Sequence, residues 1–297
     1  MIFARRQLVK GLLGGALLSA LPPLFAAPAQ QARIVAINWA ALETLLALGV
    51  IPLAGSDTGY YRRRMPTFAL PAQVQDIGPF WEPNLELLQR LQPSLILSDP
   101  LAPVVDRALR SIAPTEIVDL YPSADPYTRA SALLLTLGAR LDRLQEAQAY
   151  LAEVDRRLGA LAARLATSPR PPVQVALVNA DGRHATLYGR GSLIQAVLER
   201  LGLRNAWQGR SNAMGVTLVG IERLAEAPEA LLVCVELPTR LAELQRLRQD
   251  GTLWQALPAV RAGHVLTLPR FFPYGGVASA LFLAEQLTRH LEGVRHV

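Results

Sequence analysis

Three observations predict an α/β protein of two lobes bridged by one long helix. Short apolar runs alternate with amphipathic segments, that alternation starts twice along the chain, and a charged, proline-free stretch with Leu or Ala at helical spacing lies between the two starts. With 297 residues, 51% of them hydrophobic, the chain can bury a core in each lobe.

Residues 1–29 read as an export signal. Arg5, Arg6 and Lys10 precede the apolar run Gly11 to Ala20, and Ala27-Pro28-Ala29 supplies an A-x-A cleavage site. Two prolines interrupt the run before it reaches the ~20 apolar residues that a spanning helix needs. The Arg5-Arg6 pair resembles a twin-arginine signal, which exports folded proteins, with a general secretory signal as the alternative. The mature chain is therefore expected in a periplasm. No cysteine flanks the cleavage site to carry a lipid, and the only cysteine, Cys234, lies in the apolar run LLVCVEL and is expected in the core.

The first lobe is assigned to 30–139. RIVAIN reads as a strand, WAALETLLALGV as a helix and IPLAGSD as a second strand. DIGPFWEPNLELLQRLQPSLILSD, Asp76 to Asp99, follows as loop, helix and strand. Residues 140–168, from Arg140 to Ser168, predict the connecting helix, and at ~1.5 Å per residue two dozen residues span ~36 Å, enough to brace two lobes. Prolines 169, 171 and 172 open the second lobe, 169–297. There PVQVALVN reads as a strand and GSLIQAVLERLGL as a helix, then HVLTLP as a strand, RFFPYGG as a loop and ASALFLAEQLTRHLEGV as the closing helix.

Two echoes run in the same order through both lobes. Leu48-Gly49-Val50 and Leu201-Gly202-Leu203 end a helix with the glycine expected there. NLELLQRLQPSLILSD and GIERLAEAPEALLVCVE each place a glutamate, Glu86 or Glu222, in a first helical turn, then a proline and a buried strand. A carboxylate in a first turn is favoured by the helix dipole by ~0.3–1 kcal/mol without any partner.

The chemistry that is missing narrows the function. The chain has no glycine-rich phosphate loop and no Gly-x-Ser-x-Gly elbow. His184, His264, His290 and His296 are scattered without the spacing of a metal site. The formal charge is +6, three of those positive charges fall in the signal, and no concentrated basic stripe suggests nucleic acid. A binder is expected rather than an enzyme, without catalytic residues, cofactor or protein-held metal. Rings stand at predicted strand ends: Trp39, Phe80 with Trp81, Tyr188, and Phe271, Phe272 and Tyr274. Such loops make good walls for a ligand of mixed polarity. Trp207 and Trp254 are expected in packing instead.

The run RIVAINW…LLALGVIPLAGSD, then DIG…EPNLELL…QPSLIL, then NAWQG and TLWQALPAVRAG, resembles the periplasmic ferric hydroxamate siderophore-binding family over nearly the whole chain. The resemblance implies two Rossmann-like lobes joined by one rigid helix, the helical-backbone or class III type of periplasmic binding protein. It also implies a monomer that carries an iron(III)-siderophore complex in an aromatic cleft and delivers it to an inner-membrane ABC importer. On the same comparison Trp39, Tyr61, Phe80, Trp81, Met214, Phe272 and Tyr274 fall at or near the pocket, with Arg270 on a plausible cleft loop beside them, and Phe272-Pro273-Tyr274-Gly275 keeps the family's aromatic-x-Tyr-Gly pattern. Glu86 and Glu222 match the carboxylates that dock on the permease. One departure stands out: where enteric members place an arginine and a tyrosine near the iron-bound oxygens, this chain has Phe80 and Ala102. Arg62, Arg63, Arg64 and Arg270 are the candidates to replace that polar contact. A carrier of a ferric carboxylate siderophore, haem or cobalamin, and a siderophore-modifying enzyme, remain the alternatives.

Overall fold

The computed structural model describes residues 33–121, 125–179, 181–236, 246, 251–268 and 270–293; the export signal read at 1–29 lies outside them. The first half runs β1 (Ile34–Ala36), α1 (Trp39–Ala47), β2 (Ala54–Gly55), α2 (Thr58–Arg64), β3 (Gln75–Asp76), α3 (Leu85–Leu91), β4 (Leu95–Ser98), α4 (Pro103–Ile112) and β5 (Thr115–Ile117). Its strands form one parallel sheet in the order β3-β2-β1-β4-β5, with Val35 opposite both Ala54 and Ile96. β1 is the central strand and is covered on both faces, which is why RIVAIN shows no polar alternation.

Two helices follow, α5 (Pro126–Arg140) and α6 (Leu144–Leu165). The single helix expected over 140–168 is thus shorter, and 140–143 belongs to the end of α5 and a turn. Asp142 adopts a left-handed conformation (φ 56°) and the Arg143 N–H donates to the Gly138 carbonyl, which closes α5 as a helix C-terminus usually closes. The 22 residues of α6 still span ~33 Å.

The second half runs β6 (Val173–Val178), β7 (His184–Tyr188), α7 (Leu193–Arg200), β8 (Val216–Gly220), a 3-10 turn (Ile221–Glu226), β9 (Leu231–Val235), α8 (Thr252–Ala256), α9 (Pro258–Arg261), β10 (Val265–Leu268) and α10 (Val277–Gly293). The sheet order is β10-β9-β6-β7-β8. β10, β9 and β6 are parallel, whereas β7 and β8 are antiparallel additions. The two halves therefore share an α/β design but not one topology.

Alternate residues of the strands sort into separate cores. Ile34, Ala36, Leu95 and Leu97 of the first sheet, and Val173, Val175, Leu231 and Val233 of the second, face one continuous interior filled by α1, α5, α6, α7 and α10. Val35, Ile37 and Ile96 pack outward on Leu88 and Leu109. Ala176, Leu187, Leu232 and Cys234 do so on Ile221, Leu224 and Trp254. Cys234 and Trp254 are buried, as their sequence contexts suggested.

Polar ties cross this shared layer. Glu43 of α1 is buried and accepts from the Gly276 N–H (2.6 Å), the Ser279 hydroxyl (2.7 Å) and the Thr67 hydroxyl (2.7 Å). Burial pushes its carboxyl above the ordinary value and the three donors offset that only in part. Gly275 is required beside it, since a Cβ there would run into the Ser279 hydroxyl. Arg200 of α7 pairs with Asp125 (2.9 Å) at the start of α5 and stacks over the Tyr127 ring, its guanidinium 4.1 Å from the centroid. The Tyr127 hydroxyl donates to Asp155 of α6 (2.6 Å). Arg157 and Arg164 of α6 pair with Glu285 and Glu292 of α10.

Candidate functional site

Trp39 is fixed by the turn from β1 into α1. Asn38 caps the helix, its side-chain oxygen accepting from the Ala41 N–H (2.9 Å) while its amide donates to Asp99 (2.7 Å). The Trp39 indole N–H donates to the Ser56 carbonyl (3.0 Å), and the Ser56 hydroxyl donates to the Ile37 carbonyl (2.6 Å). The ring is thus held across the ends of β1 and β2. The crevice beyond the carboxyl ends of parallel strands is where α/β sheets usually bind ligands.

From Trp39 a chain of rings runs between the two halves. Tyr60 stands 5.6 Å away, Phe272 4.8 Å away, and Phe272 meets Tyr274 at 5.6 Å. Tyr274 in turn meets Tyr121 (5.7 Å) and Tyr188 (6.4 Å). The tilted and edge-on angles are those that aromatic pairs favour. Tyr60, Tyr121, Phe272 and Tyr274 keep part of their surface exposed.

Of the residues singled out in the sequence, Trp39, Phe272 and Tyr274 come together here. Tyr61 is not among the partly exposed rings: it is fully buried, packed edge-on against Trp39 at 5.2 Å. Adjacent residues of a helix point about 100° apart, so in α2 the half-exposed ring is that of Tyr60. Phe80 and Trp81 sit on the loop after β3, 42% and 59% exposed, in a T-shaped contact with each other at 5.0 Å. Met214 is 42% exposed in a turn where the Asn212 side chain accepts from the Met214 and Val216 N–H groups. Ala102 is exposed ahead of α4. Glu86 and Glu222 are exposed in the first turns of α3 and the 3-10 turn.

The four candidate arginines part company. Arg270 donates to the backbone carbonyls of Met65 (3.0 Å) and Arg62 (3.3 Å), and so ties the loop after β10 to the end of α2. Arg62 donates to the Leu70 (3.2 Å) and Pro71 (2.9 Å) carbonyls and to the Thr58 hydroxyl (3.1 Å). Arg63 is exposed. Arg64 is buried inside the ring chain. Burial pushes the Tyr121, Tyr188 and Tyr274 hydroxyls upward, and the charge of Arg64 pulls the last two the other way. Sequence reading did not single out Tyr121, nor Tyr60 and the burial of Arg64, the last two because a Tyr-Tyr-Arg-Arg-Arg run carries the composition of a surface loop.

A concavity of about 370 Å³ lies between α6 and α10 and is lined by Arg157, Arg164, Glu285, Arg289 and small or apolar side chains, with no aromatic ring among its lining residues. Two of its arginines are already paired. Among the described residues no group of three or more His, Cys, Asp or Glu side chains is placed to hold a metal, and no helix is long and apolar enough to cross a membrane.

The sequence profile of the periplasmic binding proteins matches residues 34–270. The chain belongs to this family. Within the family it is 31% identical to the iron(3+)-hydroxamate-binding protein FhuD of Escherichia coli over 293 residues, 98% of each chain. It is 26% identical to the Fe(3+) dicitrate-binding periplasmic protein FecB of the same organism, over 80% of this chain and 76% of that one. Among solved structures, the Fe3+-Desferal-bound siderophore-binding protein FhuD of Vibrio cholerae superposes with a TM-score of 0.81 at 28% identity, covering 90% of this chain and all of that chain. The fold expected from the sequence, two α/β halves of the siderophore-binding type, is the fold observed.

Proposed function

We propose that this periplasmic binding protein captures a preformed iron(III)-siderophore complex in the ring-lined recess and presents it to an ABC importer. The siderophore supplies all the iron ligands, and the protein supplies ring surface and a few hydrogen bonds, so capture involves no bond making or breaking. The observation that carries this reading is the chain Tyr60, Trp39, Phe272 and Tyr274, to which both halves of the molecule contribute. On this reading the exposed side chains of Phe80, Trp81 and Met214 also contact the cargo, as its rim. Relatives named for iron(III)-hydroxamate and for a Desferal complex support the hydroxamate class.

Residues 1–29 act as the signal that delivers the protein to the periplasm, where it works as a monomer. Glu86 and Glu222 are the carboxylates that meet the importer, one from each half. Replacing both by alanine is expected to abolish uptake in a reconstituted importer while leaving chelate affinity unchanged; unimpaired uptake removes the docking role.

The capture itself is tested by tryptophan quenching of the purified protein with ferric desferrioxamine, ferric citrate, haem, cobalamin and uncomplexed Fe³⁺. Saturable quenching by a ferric chelate, with the chelate recovered intact, is expected. Tight uptake of bare Fe³⁺, or of haem or cobalamin alone, overturns the reading.

A further inference from the structure

Arg64 closes α2, and its side chain turns in among the rings instead of out to water. It is 4% exposed. Its guanidinium lies 5.8 Å from the Tyr60 ring centre and 5.7 Å from that of Phe272, and one Nη donates to the Tyr60 hydroxyl (2.8 Å). Its Nε has no hydrogen-bond partner, and among the described residues no carboxylate comes within ion-pair distance. A guanidinium cannot shed its charge, so a buried one is ordinarily matched by an anion. Ring faces offset part of that cost but leave the donors of the planar fork unused.

Other arginines near the recess show the contrast. Arg62 donates to two backbone carbonyls and a hydroxyl, and Arg270 donates through one Nη to two backbone carbonyls, so both serve as braces. Of the three, Arg64 is the one whose unpartnered donor is buried, and it lies among the rings. The two rings its guanidinium approaches, Tyr60 and Phe272, are each partly exposed.

We infer that Arg64 is the specificity-determining cation of the recess and that the cargo is a ferric chelate carrying free carboxylate, so that net-negative complexes are selected over neutral or cationic ones. This rests on the ferric-chelate reading above and adds the charge of the cargo to it. The shared chemistry is a carboxylate beside the iron complex, whether the iron itself is held by hydroxamates or by carboxylates.

A matched pair of probes isolates charge. Ferric desferrioxamine is cationic through its free amine, and succinylating that amine makes the complex anionic without altering its iron-binding hydroxamates; ferric citrate is the all-carboxylate arm. By quenching titration the wild type is expected to bind the succinylated chelate or ferric citrate about tenfold or more tightly than the cationic chelate. Added salt is expected to narrow that gap. Arg64→Gln should weaken the anionic probes about tenfold and strengthen the cationic one, a change of opposite sign that a merely structural role does not give. The salt series on the wild type supplies the same test if the variant folds poorly. Equal or better binding of the cationic chelate by the wild type, or an equal loss of all probes in Arg64→Gln, overturns the inference and leaves the ferric-chelate reading standing. Failure of every ferric chelate to bind overturns both.

Discussion

The layer between the two sheets and the ring cluster at its edge meet at α1 yet are put together on opposite terms. In the layer, two buried or half-buried charges are matched: Glu43 holds three donors, and Arg200 holds Asp125 and the Tyr127 ring. In the recess, rings are half-exposed and a guanidinium donor stands unused. The difference teaches where free energy is kept. Matched groups stabilise the fold, whereas unmatched ones are held ready for a ligand.

The largest effect is expected at Glu43. Glu43→Ala leaves three donors without an acceptor, and at about 1–3 kcal/mol for each unsatisfied group the loss should reach about 3 kcal/mol or more in urea unfolding. The pH dependence has a definite sign. Because burial raises the folded carboxyl above its ordinary value of 4.5, its proton is bound more tightly in the folded protein. That contribution is complete below the ordinary value and is lost as pH rises through the folded one. The stability advantage of the wild type over Glu43→Gln should therefore shrink with rising pH; a widening gap removes this assignment.

Phe272→Ala comes next. Removing the ring between Trp39 and Tyr274 should lower chelate affinity about tenfold by quenching titration, with a smaller stability cost than Glu43→Ala. The reverse order of effects would erase the distinction between layer and recess.

Arg200→Ala is expected to cost about 1 kcal/mol at neutral pH, a modest figure because the pair is partly exposed to solvent. Here the sign is opposite to that of Glu43. Burial alone would raise the Asp125 carboxyl, but Arg200 and Thr128 outweigh it and hold the group below 3.8. The contribution is present above that value and is lost as pH falls through the folded one, so variant and wild type should converge in acid.

The smallest effect is expected at the rim. Trp81→Ala should leave the unfolding midpoint within about 0.5 kcal/mol, since the ring is 59% exposed, and should weaken chelate binding only severalfold.

Those strands and helices that were legible in the sequence were so because a buried element writes its own apolar run: RIVAIN for β1, LLVCV for β9, the spaced Leu and Ala of α6; α2, α4, β5, α5 and β8 were not read. Pairing direction is not written that way. His184–Tyr188 looks alike whether it runs with β6 or against it, so the antiparallel edge of the second sheet stayed hidden. At the recess, Trp39, Phe272 and Tyr274 could be picked out as rings on loops at strand ends. The exchange of Tyr61 for Tyr60 turns on one step of helix rotation. The fates of Arg62, Arg64 and Arg270 depend on which carbonyls and rings the fold delivers to each, and a run of three arginines does not encode that.

The uninterrupted interior shared by both sheets has a consequence for traffic at the membrane. If that shared interior keeps the halves fixed when the proposed cargo loads, an empty carrier would offer an importer nearly the same outline as a full one. Unoccupied molecules would then compete for the same landing place, and throughput would depend on the proportion that arrive laden.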